Sequence, residues 1–452
     1  MAQLRPRFEM DLRAVVAAIA ILAMAPLVAL GVTSSPLLAG GAILAVAAGL
    51  LLLAREQWIA PLLALGFMYN AVFVSLGFAF LGVGDGVALM SFGAWFIHRL
   101  GRPRPFRLKH ISLMILFMII CYVSLVNGVM PGASKGPYMR QVVYMLGLVI
   151  MMDTLRNFTQ LRWVMYALAI ASVIHCVYAV VSYDGVRRLR GFVDQPNTLA
   201  HLVAFGMLPT LERFQNNTDS TRRVLWMGAF MLQVAVIVMS VSRGTILALA
   251  VALLWWVRAN RGQVLIILVG GLAVFIAMKG IEDRPTQNIV QDRLAMKDAS
   301  LHHRTEIFGY GVEALFTHPW LGVGFNQFTE LDRAIDLSQN ASGRAAHNYY
   351  LNIAVSVGLP GVFLLLGFCW LHSRRVWQHH RWLSQLRSRT PEQNEAMVLL
   401  SLLQCVILFE TVGLMTKGDM MGLLWMLMGV TAAASQLELP TSDDDRSSVT
   451  TP

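Results

Sequence analysis

The sequence predicts an all-α, polytopic integral membrane protein, and three observations carry that expectation. Of its 452 residues 56% are hydrophobic and 14% charged, with a mean hydropathy of +0.59, whereas soluble domains carry about 25% charged residues. Apolar runs approaching the roughly 20 residues that a helix needs to cross a bilayer recur along the chain. Lys and Arg gather between alternate runs instead of spreading evenly.

Candidate spans lie near 14–32, 36–54, 58–82, 84–98, 111–130, 139–153, 161–182, 198–210, 223–241, 244–258, 263–279, 347–371, 396–415 and 419–437. Those at 84–98, 139–153, 198–210 and 244–258 are short. Each could re-enter or share a span with a neighbour, so the expectation is about 12 to 14 helices. The first run is long enough to span and no small-residue cleavage site follows it, so it reads as a span and not a removable signal.

Arg5, Arg7 and Arg13 precede the first span; Arg99, Arg102, Arg104, Arg107 and Lys109 follow the fourth; Arg374, Arg375, Arg381, Arg387 and Arg389 follow the twelfth. Strict alternation puts these on one face with "ERFQNNTDSTRR" and "RANRG". By the positive-inside rule that face is cytoplasmic, and it holds both termini. The net charge of +10 is then a topology signal and argues against nucleic-acid binding. Cys121, Cys176, Cys369 and Cys405 all fall in apolar segments without metal-ligand spacing, and read as packing residues.

This divides the chain into transmembrane helices over 1–279, a large external loop over 280–346, further transmembrane helices over 347–437 and a polar tail, expected to be disordered, over 438–452. A loop of that length is functional or unstructured as a rule. Here "LHHRTEIFGYGVEALF" sets Ile307, Tyr310, Gly311, Ala314 and Leu315 at helical spacing. "THPWLGVGFNQF" then supplies the Pro-Trp turn and paired glycines of a tight bend where backbones approach closely. The expectation is a small helical cap over the membrane mouth.

Cations on this external face need explaining. Arg187, Arg188 and Arg190 lie in "YDGVRRLRGFVDQPNTLAHL", where contact with anionic headgroups competes with an anion site built on guanidinium forks. In "DQPN", Asn197 is a candidate helix cap. Arg243 sits at a span boundary, where snorkelling is the ordinary reading. Arg304 adjoins His302 and His303; with His318 and His347 these could suggest a metal, but fitting carboxylates and HExxH or CxxC patterns are missing, so no metal is expected. His347 and Asn348 close the loop just where an apolar run starts, a place that also suits a plain capping or interfacial residue. Glu410 is an intramembrane acid that could partner an arginine, Lys417 and Asp419 mark a turn, and His175 and His201 read as packed.

In order, "RRLRGFVDQPNTLAHL", "SVSRGTILAL", "HHRTEIFGYGVEALFTHPWLGVGFNQF" and "AHNYYLNIAVSVGLPG" resemble the O-antigen ligase and polymerase family of bacterial envelope glycan assembly, over roughly 187–360. The specific signal is the "HPWLGVGFNQF" stretch followed by "HNYYLNIAVSVGLPG". The resemblance implies a GT-C-type glycosyltransferase of the inner membrane, independent of metal and cofactors, working on the periplasmic face. Its donor would be an O-antigen glycan on undecaprenyl pyrophosphate. In ligases the acceptor is a lipid A–core sugar hydroxyl, and both substrates stay anchored in the phospholipid membrane. The family's essential histidine falls on His347 and its arginines on Arg190 and Arg304, with Arg187 and Arg188 adjacent alternatives to Arg190.

Chemically, displacement of a diphosphate builds negative charge that clustered guanidinium groups can meet without a metal. Arg190 and Arg304 fit that task, with Arg187, Arg188 and Arg243 as further donor-binding candidates. His347 suits a general base, since a free imidazole titrates near pH 6.5, and Asn348, Glu306 and Asn197 are placed to support the site. Direct displacement would invert the anomeric centre. Polymerase and protein O-oligosaccharyltransferase activities remain open beside ligase. A lipid-linked glycan flippase or transporter is the alternative of another class, disfavoured because the charges crowd one face in a loop without a counterpart.

Overall fold

The computed structural model describes residues 49, 51–69, 73–75, 80–101, 104–132, 134–183, 189, 191–193, 195–240, 242–259, 299–328, 348–386, 388–416 and 421–440, with side chains left undescribed at 73–75, 80–85, 259, 299–306, 416 and 421. Over these residues the fold is helical, with one small antiparallel hairpin. In chain order come α1 (Ile59–Met68), β1 (Phe73–Ser75), β2 (Phe80–Gly82), α2 (Val83–Gly101), α3 (Ile111–Asn127), α4 (Lys135–Thr154), α5 (Phe158–Val181) and α6 (Pro196–Asn216). There follow α7 (Ser220–Ser240), α8 (Arg243–Ala259), α9 (Ala299–Thr317), α10 (Tyr349–Gln385), α11 (Pro391–Gly413) and α12 (Met421–Ala434).

Among the described residues α5, α7, α10 and α11 are long and apolar enough to cross a membrane, which makes this a membrane protein. The four short candidate spans are neither shared nor missing: α2, α4, α6 and α8 are separate helices of 19, 20, 21 and 17 residues. They read short because polar residues interrupt their hydropathy. In α6 every residue from Thr198 to Glu212 is buried, His201, Thr210 and Glu212 included. A helix covered all round packs into a bundle interior, and α6 packs against α5, α7 and α11.

One expected span is corrected. Residues 58–82 do not form one helix: α1 ends at Met68, and Phe73–Ser75 pairs antiparallel with Phe80–Gly82. "FVS" and "FLG" carry the aromatic and β-branched residues that suit strands, so apolar content alone could not separate helix from hairpin. The expected cap at Asn197 is corrected too. The N-cap of α6 is Gln195, without a side-chain bond, and Pro196 opens the helix. Proline's fixed φ and missing N–H suit a first helical position, so Asn197 falls inside the first turn.

Elsewhere side chains cap as the sequence allows. Asn157 Oδ1 accepts from Gln160 N at 2.8 Å to start α5, and Thr390 with Gln393 forms a reciprocal capping box on α11. Gln233 of α7 donates to Ser172 Oγ of α5 and Thr210 Oγ1 of α6, a buried polar tie among three helices. Gly206 makes room for it, since a Cβ there would lie 2.3 Å from Ser172 Oγ.

At the end of the bundle read as cytoplasmic, Asp153 is fully buried and accepts from Trp95 Nε1 at 2.8 Å, Arg99 at 2.7 Å and Arg156 at 3.2 Å. Arg104 pairs with Glu56 and lies 3.9 Å from Asp153. Burial lowers the Arg156 guanidinium pKa, and Asp153 opposes that shift. A carboxylate shared among several guanidiniums keeps part of the arginine cluster ordered against the helix ends.

Candidate functional site

The family-like stretch builds a clasp. Residues 318–328 leave α9 in a turn with left-handed residues at Gly322 (φ 67°), Gly324 (φ 123°) and Asn326 (φ 55°). The turn meets α10 where that helix breaks at Gly358 (φ 72°, ψ 178°), just before Pro360. In a continuous helix Leu359 N would donate to Val355 O, and residue 360 to Ser356 O. Here Leu359 N donates to Pro319 O at 2.8 Å, while Val355 O accepts from Val323 N at 2.8 Å. Pro360 has no N–H to give, and Ser356 O accepts from Ser124 Oγ of α3 at 2.6 Å. The break thus exchanges helical bonds for bonds to the turn, and these opened polar groups stay satisfied.

The glycines are there for approach. A Cβ at Gly322 would lie 2.2 Å from Val355 O, and one at Gly358 2.4 Å from Trp320 C and O. Gln327 closes the other side: it is buried, its Oε1 accepts from Met130 N at 2.7 Å, and Gly128 and Gly324 make room for it. A second apolar cluster, apart from the main core, joins Ile307 and Ala314 of α9 to Val323, Phe328, Leu351 and Val355.

The clasp also sets a direction. Gly311 of α9 abuts Leu351 of α10, and further on Pro319 and Trp320 abut Gly358 and Leu359. The two helices therefore advance side by side in the same sense. Asn348 caps the shared end of α10, its Oδ1 accepting from Leu351 N at 3.1 Å. Tyr350 OH donates to Thr411 O at 3.0 Å, fixing that end to α11.

Glu410 corrects an expectation. Its partner is a histidine and not an arginine: Glu410 Oε2 lies 2.7 Å from His201 Nε2, with side chains 1% and 0% exposed. The helix packing decides it, because Gly413 lets the His201 ring press against α11. His201 is packed, as its apolar run suggested; so is His175, stacked on Tyr69 with Nε2 3.1 Å from Met68 O.

Of the other sequence candidates, His347, Arg187, Arg188 and Arg190 lie outside the described residues. Arg304 and Glu306 fall in α9, with side chains outside the description, as are those of His302 and His303. Arg243 is the first residue of α8, next to Ser242, whose hydroxyl lies 3.0 Å from Thr245 Oγ1. Among the described residues no group of three or more His, Cys, Asp or Glu is close enough to hold a metal ion. Sequence reasoning missed Ser124 and Gln327, because nothing local marks a partner hundreds of residues away. It also missed the Tyr310–Glu313–Thr317 stripe of α9, which their helical spacing could have revealed.

The fold and clasp define a helical membrane protein with a glycine-locked helix pair beside its bundle. A protein-family model described as O-antigen ligase matches residues 228–366, from α7 through α8, α9 and the clasp to the first half of α10. Over those residues the chain is similar to the O-antigen ligase family. A search of curated proteins returned no match.

Proposed function

We propose that this protein is an O-antigen ligase. It transfers a completed glycan en bloc from undecaprenyl pyrophosphate to a sugar hydroxyl of lipid A–core, on the periplasmic face of the bacterial inner membrane. The observation that carries the reading is the side-by-side run of α9 and α10 within the matched domain. Arg304 precedes Gly311 by seven residues, about 10 Å along α9, and His347 directly precedes the Asn348 cap of α10. In this reading the arginine and the histidine serve one end of the clasped pair. Residues 280–346 form the cap of a GT-C-type transferase in this reading.

The acceptor hydroxyl oxygen attacks the anomeric carbon, and the bond from that carbon to the pyrophosphate oxygen breaks. Undecaprenyl pyrophosphate leaves with the bonding electrons, and Arg190 and Arg304, supported by Arg187, Arg188 and Arg243, stabilise the charge that builds on it. His347 takes the hydroxyl proton. In-line attack inverts the anomeric centre, and no metal or cofactor takes part.

Deleting the gene and resolving lipopolysaccharide on a gel tests the assignment. A ligase leaves core-only product. Core bearing a single repeat would make the protein a polymerase instead, and unaltered lipopolysaccharide would overturn both assignments, leaving transfer to protein or lipid-linked glycan transport to be assayed.

A further inference from the structure

Between the end of α3 and the second half of α9 lies a cleft of about 420 Å³. Its polar lining comes from Asn127, Tyr310, Glu313, Thr317 and His318, and Val323 of the clasp helps wall it. Tyr310, Glu313 and Thr317 follow at helical spacing on one stripe of α9. The Thr317 hydroxyl lies 2.9 Å from His318 Nδ1, which orients the ring and leaves Nε2 for a ligand. Asn127 Nδ2 is taken by Val123 O at 2.8 Å, leaving its Oδ1. The Glu313 carboxylate makes no hydrogen bond or ion pair among the described residues.

The polar groups are acceptors with a few donors, and among the described residues no Lys or Arg lines the cleft. A diphosphate would meet the Glu313 charge without compensation, so the chemistry favours an uncharged, hydroxyl-rich ligand, namely sugar. Beside the lining residues in sequence, Phe316 is 80% exposed and Trp320 73%. Exposed aromatic rings of this kind collect where a membrane meets water. A saccharide held here can therefore stay tethered to a lipid.

Distance separates the two lipid-linked substrates. Glu313 follows Arg304 by nine residues, about 14 Å along α9, or two to three sugar rings. A donor carries its lipid on the diphosphate, so its lipid stays beside the arginines. An acceptor carries its lipid at the far end of its oligosaccharide from the reacting hydroxyl, as a cleft set back from Arg304 with exposed aromatics close to it in sequence suits.

We infer that this cleft is an acceptor subsite, binding the uncharged hydroxyl-bearing sugars of a membrane-anchored glycolipid between its lipid and its reacting end. The inference rests on the ligase reading. Glu313→Gln and Tyr310→Phe remove a charged acceptor and a hydroxyl while keeping shape. The full-length protein in lipid nanodiscs is assayed with undecaprenyl-pyrophosphate-linked glycan and purified lipid A–core, varying each in turn. Losing a hydrogen bond to a charged group is worth on the order of a 10- to 100-fold change in affinity. Glu313→Gln should raise the acceptor KM by about that factor, and Tyr310→Phe by less, with kcat and the donor KM nearly unchanged. Direct binding of lipid A–core, followed by tryptophan fluorescence without donor, should weaken in parallel.

An active wild type whose acceptor KM is untouched in both variants overturns the subsite alone, as does a rise confined to the donor KM. A fall in kcat at constant acceptor KM also overturns it. A wild type that makes no lipopolysaccharide from these substrates removes the ligase reading, and the subsite with it.

Discussion

Replacing Gly358 with Ala tests the clasp most directly. At φ 72° and ψ 178° the residue occupies a region of backbone space that is essentially restricted to glycine, and holding an L-residue there costs on the order of 1–3 kcal/mol. The added Cβ would lie 2.4 Å from Trp320 C and O and 2.8 Å from Pro319 O. Those atoms are backbone, so relief means moving the turn. That movement strains two bonds, Leu359 N to Pro319 O and Val323 N to Val355 O, both 2.8 Å, each worth about 0.5–1.5 kcal/mol net. The sum is roughly 2–6 kcal/mol of destabilisation. Gly367, on the same helix with nothing within 4 Å of its would-be Cβ, is the control, and Ala there should be neutral or stabilising by about 0.5–1 kcal/mol. Thermal and denaturant unfolding of both variants in detergent, with transfer activity alongside, measures the difference. If Gly358→Ala unfolds with Gly367→Ala, the exchanged bonds hold nothing and the account of the motif fails.

His201→Ala or Glu410→Ala each strands a buried partner and should cost about 3–5 kcal/mol, with strong coupling in a double-mutant cycle; additive losses would deny the pair. On the proposed mechanism, in which guanidiniums meet the leaving charge, transfer by the purified protein should survive excess EDTA; abolition with rescue by magnesium would remove the arginine account. On the proposed mechanism the wild-type rate should fall as pH drops through the imidazole range, near 6.5 for an ordinary histidine, since only a neutral imidazole accepts a proton. His347→Gln should lose about 10²–10⁴ in rate and show no such acid limb, and near-full activity would reduce His347 to a positioning group.

Much of the helical framework was legible because hydropathy is a local quantity. Helices α5, α7, α10 and α11 announce themselves by composition, and the turn after α9 by its glycines. Helix α6 was harder to delimit, because its buried histidine, threonine and glutamate look like a span ending early. The hairpin at 73–82 was not separable from a helix, since both environments accept Phe, Val and Leu. Contacts over long separations left no trace in pattern: Ser124 to Ser356 spans 232 positions and His201 to Glu410 spans 209. For the site, the histidine and arginine candidates stood out by position in the sequence and took their roles from motif resemblance, while the cleft beside α9 needed the fold to bring Asn127 to Glu313.

Two of the three hydrogen bonds named at the break run main chain to main chain, so they carry no side-chain identity of their own. What they demand of the sequence is vacancy at 322 and 358, and next to Gln327 at 128 and 324. An alanine scan through this stretch should therefore run backwards. Adding a single methyl group at the glycines does the harm, while stripping the exposed Trp320 or Phe316 to a methyl leaves the clasp standing and registers only where the membrane or a sugar is met. Here the informative positions are those with the least chemistry in them.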